Sequence, residues 1–196
     1  MKIVHPGSGP PIKGVKVPED VYWVIQWPTP LAGMKYPRTD FPWSSLYAAG
    51  FRQVVSLHSP HTDPHSVPYD PAPLTMCFAE QLEDLVSGGP PADEEDEIRK
   101  INRAVTATLT AWRSGEGVVV HCAGGRGRSG TVIGCVLREL GFSTDDVLGF
   151  LDRLHKVRDR SGWPESQWQR KLVETMRFSQ TYHKNAEEPE ITNGCT

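Results

Sequence analysis

Apolar residues recur along this chain at two different periods. Val21 to Gln26, Leu31 to Gly33, Gln53 to Leu57, Leu74 to Ala79 and Gly117 to Val120 are short runs with the length and β-branched content of strands. Helical spacing governs the longer segments. Ile98, Ile101, Val105, Leu109 and Trp112 share one face of a helix that Asp93 caps and whose first turn is acidic. Val132 to Leu140 is a largely apolar run that stops at Gly141 and predicts a buried helix. Thr144 then caps a helix carrying Val147, Phe150, Leu151 and Leu154, and a last helix starts near Pro164 or Glu165 and buries Trp168, Leu172 and Met176. Phe41 to Gly50 reads as a short helix ending at its glycine. Strands joined by helical crossovers predict an α/β domain: a central, mostly parallel sheet of four to five strands flanked by helices on both faces.

The ends read differently from the middle. Residues 1 to 18, rich in Gly, Pro and Lys, predict an extended N-terminal arm, and polar residues 185 to 196 predict a flexible C-terminal tail, leaving 19 to 184 as the domain. A chain of 196 residues can bury one real core. Its net charge of −3 gives no sign of a nucleic-acid partner, and no run of about 18 apolar residues predicts a membrane span. Neither a secretory signal nor a Cys-x-x-Cys pair is visible, so the expectation is a cytoplasmic monomer with its thiols reduced. The proline-rich stretch from His58 to Pro73 holds His58, His61 and His65, which read as a variable loop rather than a metal site.

One segment carries chemistry. His121-Cys122-Ala123-Gly124-Gly125-Arg126-Gly127-Arg128-Ser129-Gly130 lies between the last predicted strand and the Val132 helix, so it is a glycine-rich loop opening a helix. Backbone N–H groups in such a loop converge on an anion, and the helix N-terminus adds partial positive charge. The same field favours Cys122 as a thiolate, the nucleophilic form of a cysteine. Arg128 can fork onto two phosphoryl oxygens. Other readings of the loop fit less well. Gly125-x-Gly127-x-x-Gly130 matches the dinucleotide pattern, but the acidic residues at the required distance, Asp145 and Asp146, open a predicted helix. A triphosphatase loop needs a lysine, and none is present. A purely structural cysteine leaves the glycines and arginines without a purpose.

Cysteine, five residues, arginine and serine, with histidine in front, resembles the active-site loop of the protein tyrosine phosphatase superfamily. Leu31-Ala32-Gly33 with Tyr36-Pro37, Ala49-Gly50-Phe51, and Pro164-Glu165 leading to Gln169-Arg170 resemble its compact dual-specificity branch, which includes the cyclin-dependent kinase inhibitor-associated phosphatase. The likeness spans about residues 20 to 180. It implies a metal-free, cofactor-free phosphatase with Cys122 as nucleophile, loop residues Ala123, Gly124, Gly125, Arg126, Gly127 and Arg128 binding phosphate, and Ser129 hydrogen-bonding the departing thiolate. His121 would orient the loop, and Gln169 or Gln167 would place a water. It also implies an acid aspartate on a separate upstream loop. Asp70, Asp84, Asp93 and Asp96 are the candidates, with Glu83 the nearest alternative. Asp84 is preferred, because it follows a predicted strand and precedes the flexible Ser87-Gly88-Gly89-Pro90-Pro91, whereas Asp93 and Asp96 serve a helix start.

The expected substrate is a phosphorylated protein or another phosphate monoester. No tyrosine-bearing recognition loop is found, so the pocket is expected to be shallow enough for phosphoserine and phosphothreonine beside phosphotyrosine. Arg126 adds a charge of the kind some phosphoinositide phosphatases carry, which keeps lipid or small-molecule phosphates as alternatives, together with a non-catalytic phosphate-binding module and a thiol sulfurtransferase. Cys77, on the strand leading to the acid loop, is a candidate redox partner for Cys122, whereas Cys135 reads as core.

Overall fold

The computed structural model describes residues 1–61 and 66–175. Expectations for His65, Met176, Cys195 and the 185–196 tail fall outside these residues. In chain order the elements are β1 (Val21–Ile25), β2 (Leu31–Met34), α1 (Trp43–Ala48), β3 (Phe51–Ser56), β4 (Thr75–Ala79), α2 (Glu94–Arg113), β5 (Gly117–His121), α3 (Gly127–Glu139), α4 (Thr144–Val157) and α5 (Gln167–Thr175). The strands form one sheet in the order β1-β2-β5-β3-β4. Only the β1–β2 pair is antiparallel; β2 and β3 flank β5 in parallel, and β4 joins β3 in parallel. β5 is therefore central, and all five of its residues are buried, as expected of a parallel strand covered on both faces.

The two-residue period of the strands sorts the core into two clusters. Tyr22, Val24, Leu31, Val55, Val118 and Val120 face one side, where they meet residues of α2, α3, α4 and α5. Val21, Trp23, Ala32, Val54 and Val119 face the other, together with Phe41, Trp43 and Leu46 from α1 and its approach. Helices thus lie on both faces, but unequally: α1 alone covers the second. The rest of that cover includes the N-terminal arm, with Ile12 buried and the Trp23 indole donating to the Pro10 carbonyl at 3.0 Å, whereas Ile3, bridged to Ile25, packs against the first cluster.

Two helix starts differ from the sequence expectation. Ser143, not Thr144, caps α4: its hydroxyl accepts from the Asp146 amide at 3.1 Å, placing Thr144 in the first turn. α5 begins at Gln167 rather than at Pro164 or Glu165, and Trp168 is only half buried. α2 behaves as expected, with the Asp93 carboxylate accepting from the Asp96 amide at 3.0 Å. α3 opens at Gly127, earlier than the apolar run suggests, because its first turn is built from the tail of the glycine loop. Among the described residues no helix is long and apolar enough to cross a membrane.

Candidate active site

The cysteine loop leaves the C-terminal end of the central strand and turns directly into α3, so Cys122 stands in the crevice where an open parallel sheet binds ligands. Cys122 is buried, with 2% of its surface exposed. Two glycines of the loop have a steric reason to be there. Gly125 has φ +64°, and a Cβ on it would come within 2.5 Å of the Met34 carbonyl oxygen. A Cβ on Gly127 would meet the Glu165 carboxylate. Gly124, by contrast, faces open space, and nothing in the structure requires glycine there.

Arg128 lies in the first turn of α3, 6% exposed, and its side chain reaches across to the segment between β4 and α2. Its Nη2 donates to Asp84 Oδ2 at 2.9 Å, and its Nη1 lies 3.4 Å from the Leu82 carbonyl and 3.5 Å from His58 Nδ1. Among the described residues, Asp84 is the one of the four aspartate candidates that contacts the loop. Asp93 and Asp96 belong to the start of α2, and Asp70 accepts from the Ala72 amide. Glu83 is occupied elsewhere, its carboxylate accepting from the Ala92 amide at 2.9 Å. The side chain of Asp84 is 55% exposed.

His121 is fully buried, and its Nε2 hydrogen-bonds the Tyr69 hydroxyl. Burial pushes its pKa down from 6.5 to about 3, with the charges of His58 and Arg128 adding to the effect and the Cys122 backbone opposing it. His121 is therefore neutral, and its carbonyl accepts from the Leu57 amide at 2.8 Å, which fixes the strand end before the loop. Burial likewise raises the pKa of Tyr69, so this pair carries no charge. The hydroxyl of Ser129 is fully buried and has no hydrogen-bond partner among the described residues.

Other sequence candidates are placed differently from expectation. The Arg126 guanidinium turns away along the underside of the loop, donating to Glu165 at 2.8 Å and to the Ser161 hydroxyl at 2.5 Å. Gln167 is exposed. Gln169 is buried, and its Oε1 accepts from the amides of Glu165 and Ser166, so its carbonyl caps the approach to α5. Cys77 is exposed on the edge strand, level with Val119 and Val120 but two strands away. Two strand spacings are about 9.5 Å, beyond the roughly 7 Å that a disulfide spans between Cα atoms. The Cys77–Cys122 pairing is excluded by this geometry.

Three features escaped the sequence reading. Tyr36 donates its amide to the Ala123 carbonyl at 2.9 Å and packs edge-on against His58, Tyr69 and His121, so a tyrosine does line the loop. Arg158, buried behind the loop, donates to the carbonyls of Gly125, Pro18 and Glu19 at 2.8 to 3.0 Å and lies over the Tyr22 ring. Glu97, on α2, accepts from the Glu83 amide beside Asp84. Arg158 and Glu97 are lone residues from distant segments with no spacing pattern to mark them, and the Tyr36-Pro37 likeness did not place Tyr36 against the loop.

A buried cysteine at a strand end, an arginine in the first helical turn and a carboxylate on a neighbouring loop match the cysteine phosphatase-like α/β fold. The chain belongs to the PTP-SAK family, the DSP-PTPase phosphatase domain of Swiss Army Knife proteins, whose model matches residues 18–187. Solved structures share the fold. The kinase associated phosphatase, solved with its catalytic-site cysteine substituted by serine, is 18% identical with a TM-score of 0.54, over 74% of this chain and 83% of that one. PTPMT1, solved in complex with PI(5)P, is 15% identical with a TM-score of 0.55, over 74% and 87%. The Trypanosoma brucei protein tyrosine phosphatase TbPTP1 is 13% identical with a TM-score of 0.52, over 76% and 68%.

Proposed function

We propose that this protein hydrolyses phosphate monoesters through a cysteinyl-phosphate, with phosphotyrosine and phosphoserine or phosphothreonine of proteins as its substrates. The observation that carries this reading is the Asp84–Arg128 contact of 2.9 Å, which brings a proton donor to the mouth of a loop headed by a buried cysteine. A phosphate dianion entering the loop displaces Asp84 from Arg128 and takes the guanidinium fork for two of its oxygens. The Cys122 sulfur attacks phosphorus in line. The phosphorus–oxygen ester bond breaks, and Asp84 gives its proton to the leaving oxygen, which otherwise departs as a poor alkoxide or phenoxide. Water then attacks the cysteinyl-phosphate, Asp84 takes its proton, and the thiolate leaves with the Ser129 hydroxyl beside it. The amides of Ala123 to Arg128 hold the equatorial oxygens throughout. This scheme calls on no metal or cofactor.

Protein substrates are preferred over phosphoinositides because the Arg126 side chain is spent on Glu165 and Ser161 beneath the loop rather than offered to a headgroup. PTPMT1, the relative with PI(5)P bound, keeps the lipid reading as the alternative.

The test is hydrolysis of para-nitrophenyl phosphate in EDTA and reductant. Wild type is expected to turn over, Cys122→Ser to be inactive, and Asp84→Asn to lose roughly 10²- to 10⁴-fold. Phosphate release from phosphopeptides should exceed that from phosphoinositide vesicles. Binding of inorganic phosphate without turnover would replace the enzyme reading by a phosphate-binding module.

A further inference from the structure

Asp84 sits in a segment with little holding power of its own. Residues 80 to 92 contain no helix or strand, and Gly88 and Gly89 have nothing within 4 Å of where a Cβ would stand. The segment is nevertheless tied down around Asp84. The Leu82 amide donates to the Leu57 carbonyl at 3.3 Å, and the side chains of Leu82 and Leu85 are buried. Gln81 Oε1 accepts from the Ser59 amide at 2.8 Å. The amide of Glu83, the residue before Asp84, donates to Glu97 Oε1 at 3.0 Å. The Glu83 side chain closes the far end of the loop on the Ala92 amide.

Among these ties Glu97 is unusual. Its side chain is a carboxyl, yet only 4% of the residue is exposed, and its nearest cation, Lys100, is 4.0 Å away. A buried acid with so little compensation is costly. Burial accordingly raises its pKa, with the Glu83 amide and Lys100 opposing. The helix does not need it: Asp93 already caps α2, and Glu94, Glu95 and Asp96 already supply acidic charge to its first turn. What Glu97 does uniquely is hold the backbone one residue from Asp84.

Building on the cysteine phosphatase reading, we infer that Glu97 is a positioning residue for acid catalysis, fixing the Asp84 loop over the cysteine loop through the Glu83 amide. In kcat/KM, which reports the steps up to loss of the leaving group, its contribution appears where the leaving oxygen needs a proton. The sulfur–phosphorus bond forms and the ester bond breaks as before; Glu97 sets only whether the Asp84 proton is in reach.

The experiment compares kcat/KM for phenyl phosphate, whose leaving group requires a proton, and 2,4-dinitrophenyl phosphate, whose leaving group does not. Wild type, Glu97→Leu, Glu97→Gln and Asp84→Asn are measured, with the inhibition constant of inorganic phosphate as the check that the cysteine loop is intact. Glu97→Leu is expected to lose roughly 10- to 100-fold on phenyl phosphate and less than about threefold on the dinitrophenyl ester, the selective pattern of Asp84→Asn. Glu97→Gln retains an acceptor oxygen and should keep phenyl phosphate activity within about threefold of wild type. Equal losses on both esters, or none on either, in a Glu97→Leu protein that binds phosphate normally would overturn the inference. If Glu97→Leu does not fold, Glu97→Asp, one methylene too short to reach the amide, makes the same comparison. Absence of wild-type turnover on both esters would instead sink the phosphatase reading itself.

Discussion

Tyr69 and His121 are 52 positions apart and meet through one partly buried hydrogen bond next to Cys122. Replacing Tyr69 by Phe removes the hydroxyl and leaves His121 Nε2 buried without its partner, a change that costs about 1–3 kcal/mol. Because His121 fixes the strand end before the loop, the variant should show both a lower melting temperature and weaker inhibition by inorganic phosphate. An unchanged phosphate inhibition constant would mean that the pair serves stability only. Cysteine oxidation gives a second test at this scale. Cys77 is too distant to trap Cys122, so Cys77→Ser should lose activity to hydrogen peroxide at the wild-type rate, and peptide mapping should find no Cys77–Cys122 linkage. Cys122 and Arg128 could be read from the sequence because one loop holds both, at a spacing that its curl demands. The strand and the glycine-rich stretch that frame Asp84 pointed to the segment that meets Arg128. Nothing local distinguishes Tyr69, Arg158 or Glu97 from their neighbours; the fold alone brings them to the loop.

Secondary elements were legible wherever burial imposes a period. On α2, Ile101, Val105, Leu109 and Trp112 are buried as their spacing requires while Ile98 is only half-buried, and β5 is the fully buried central strand its apolar run suggests. Helix ends depend on single hydrogen bonds, which periodicity does not see, and there the sequence reading moved by a residue or more. Ser143 and Thr144 are both good capping types, and only the backbone decides which hydroxyl meets the Asp146 amide. Ser143→Ala should therefore cost about 1 kcal/mol, some 2–4 °C in melting temperature for a chain of this size, whereas Thr144→Ala should be near neutral. Equal effects in a thermal melt would contradict the cap assignment. The cysteine loop offers a sharper contrast. Gly125→Ala forces a Cβ against the Met34 carbonyl at a positive φ and should abolish phosphate binding, while Gly124→Ala, facing open space, should fold and bind as wild type does.

At the scale of the whole molecule, two buried histidines among the described residues contribute to the response to acid. His121 lies before the cysteine loop and His155 behind it, where Arg158 donates to His155 Nδ1 at 3.0 Å. Burial holds each near 3 instead of 6.5, and the neighbouring arginines deepen the effect at His155. The folded chain therefore binds fewer protons at these sites than the unfolded chain between about pH 3 and 6.5. Stability from this source is complete above the unfolded value and is lost as the pH falls toward the folded one, at up to about 1.4 kcal/mol per pH unit for each histidine. Glu97 acts in the opposite sense. Its folded pKa is raised, so its contribution is present below the unfolded value and is lost as the pH rises. A wild-type profile thus mixes both signs, and the difference between wild type and His155→Gln isolates one histidine because Glu97 cancels. Urea denaturation from pH 4 to 7 should show wild type losing stability toward acid more steeply than His155→Gln, with the difference in slope approaching one proton. Parallel profiles would show that His155 is not held neutral in the fold.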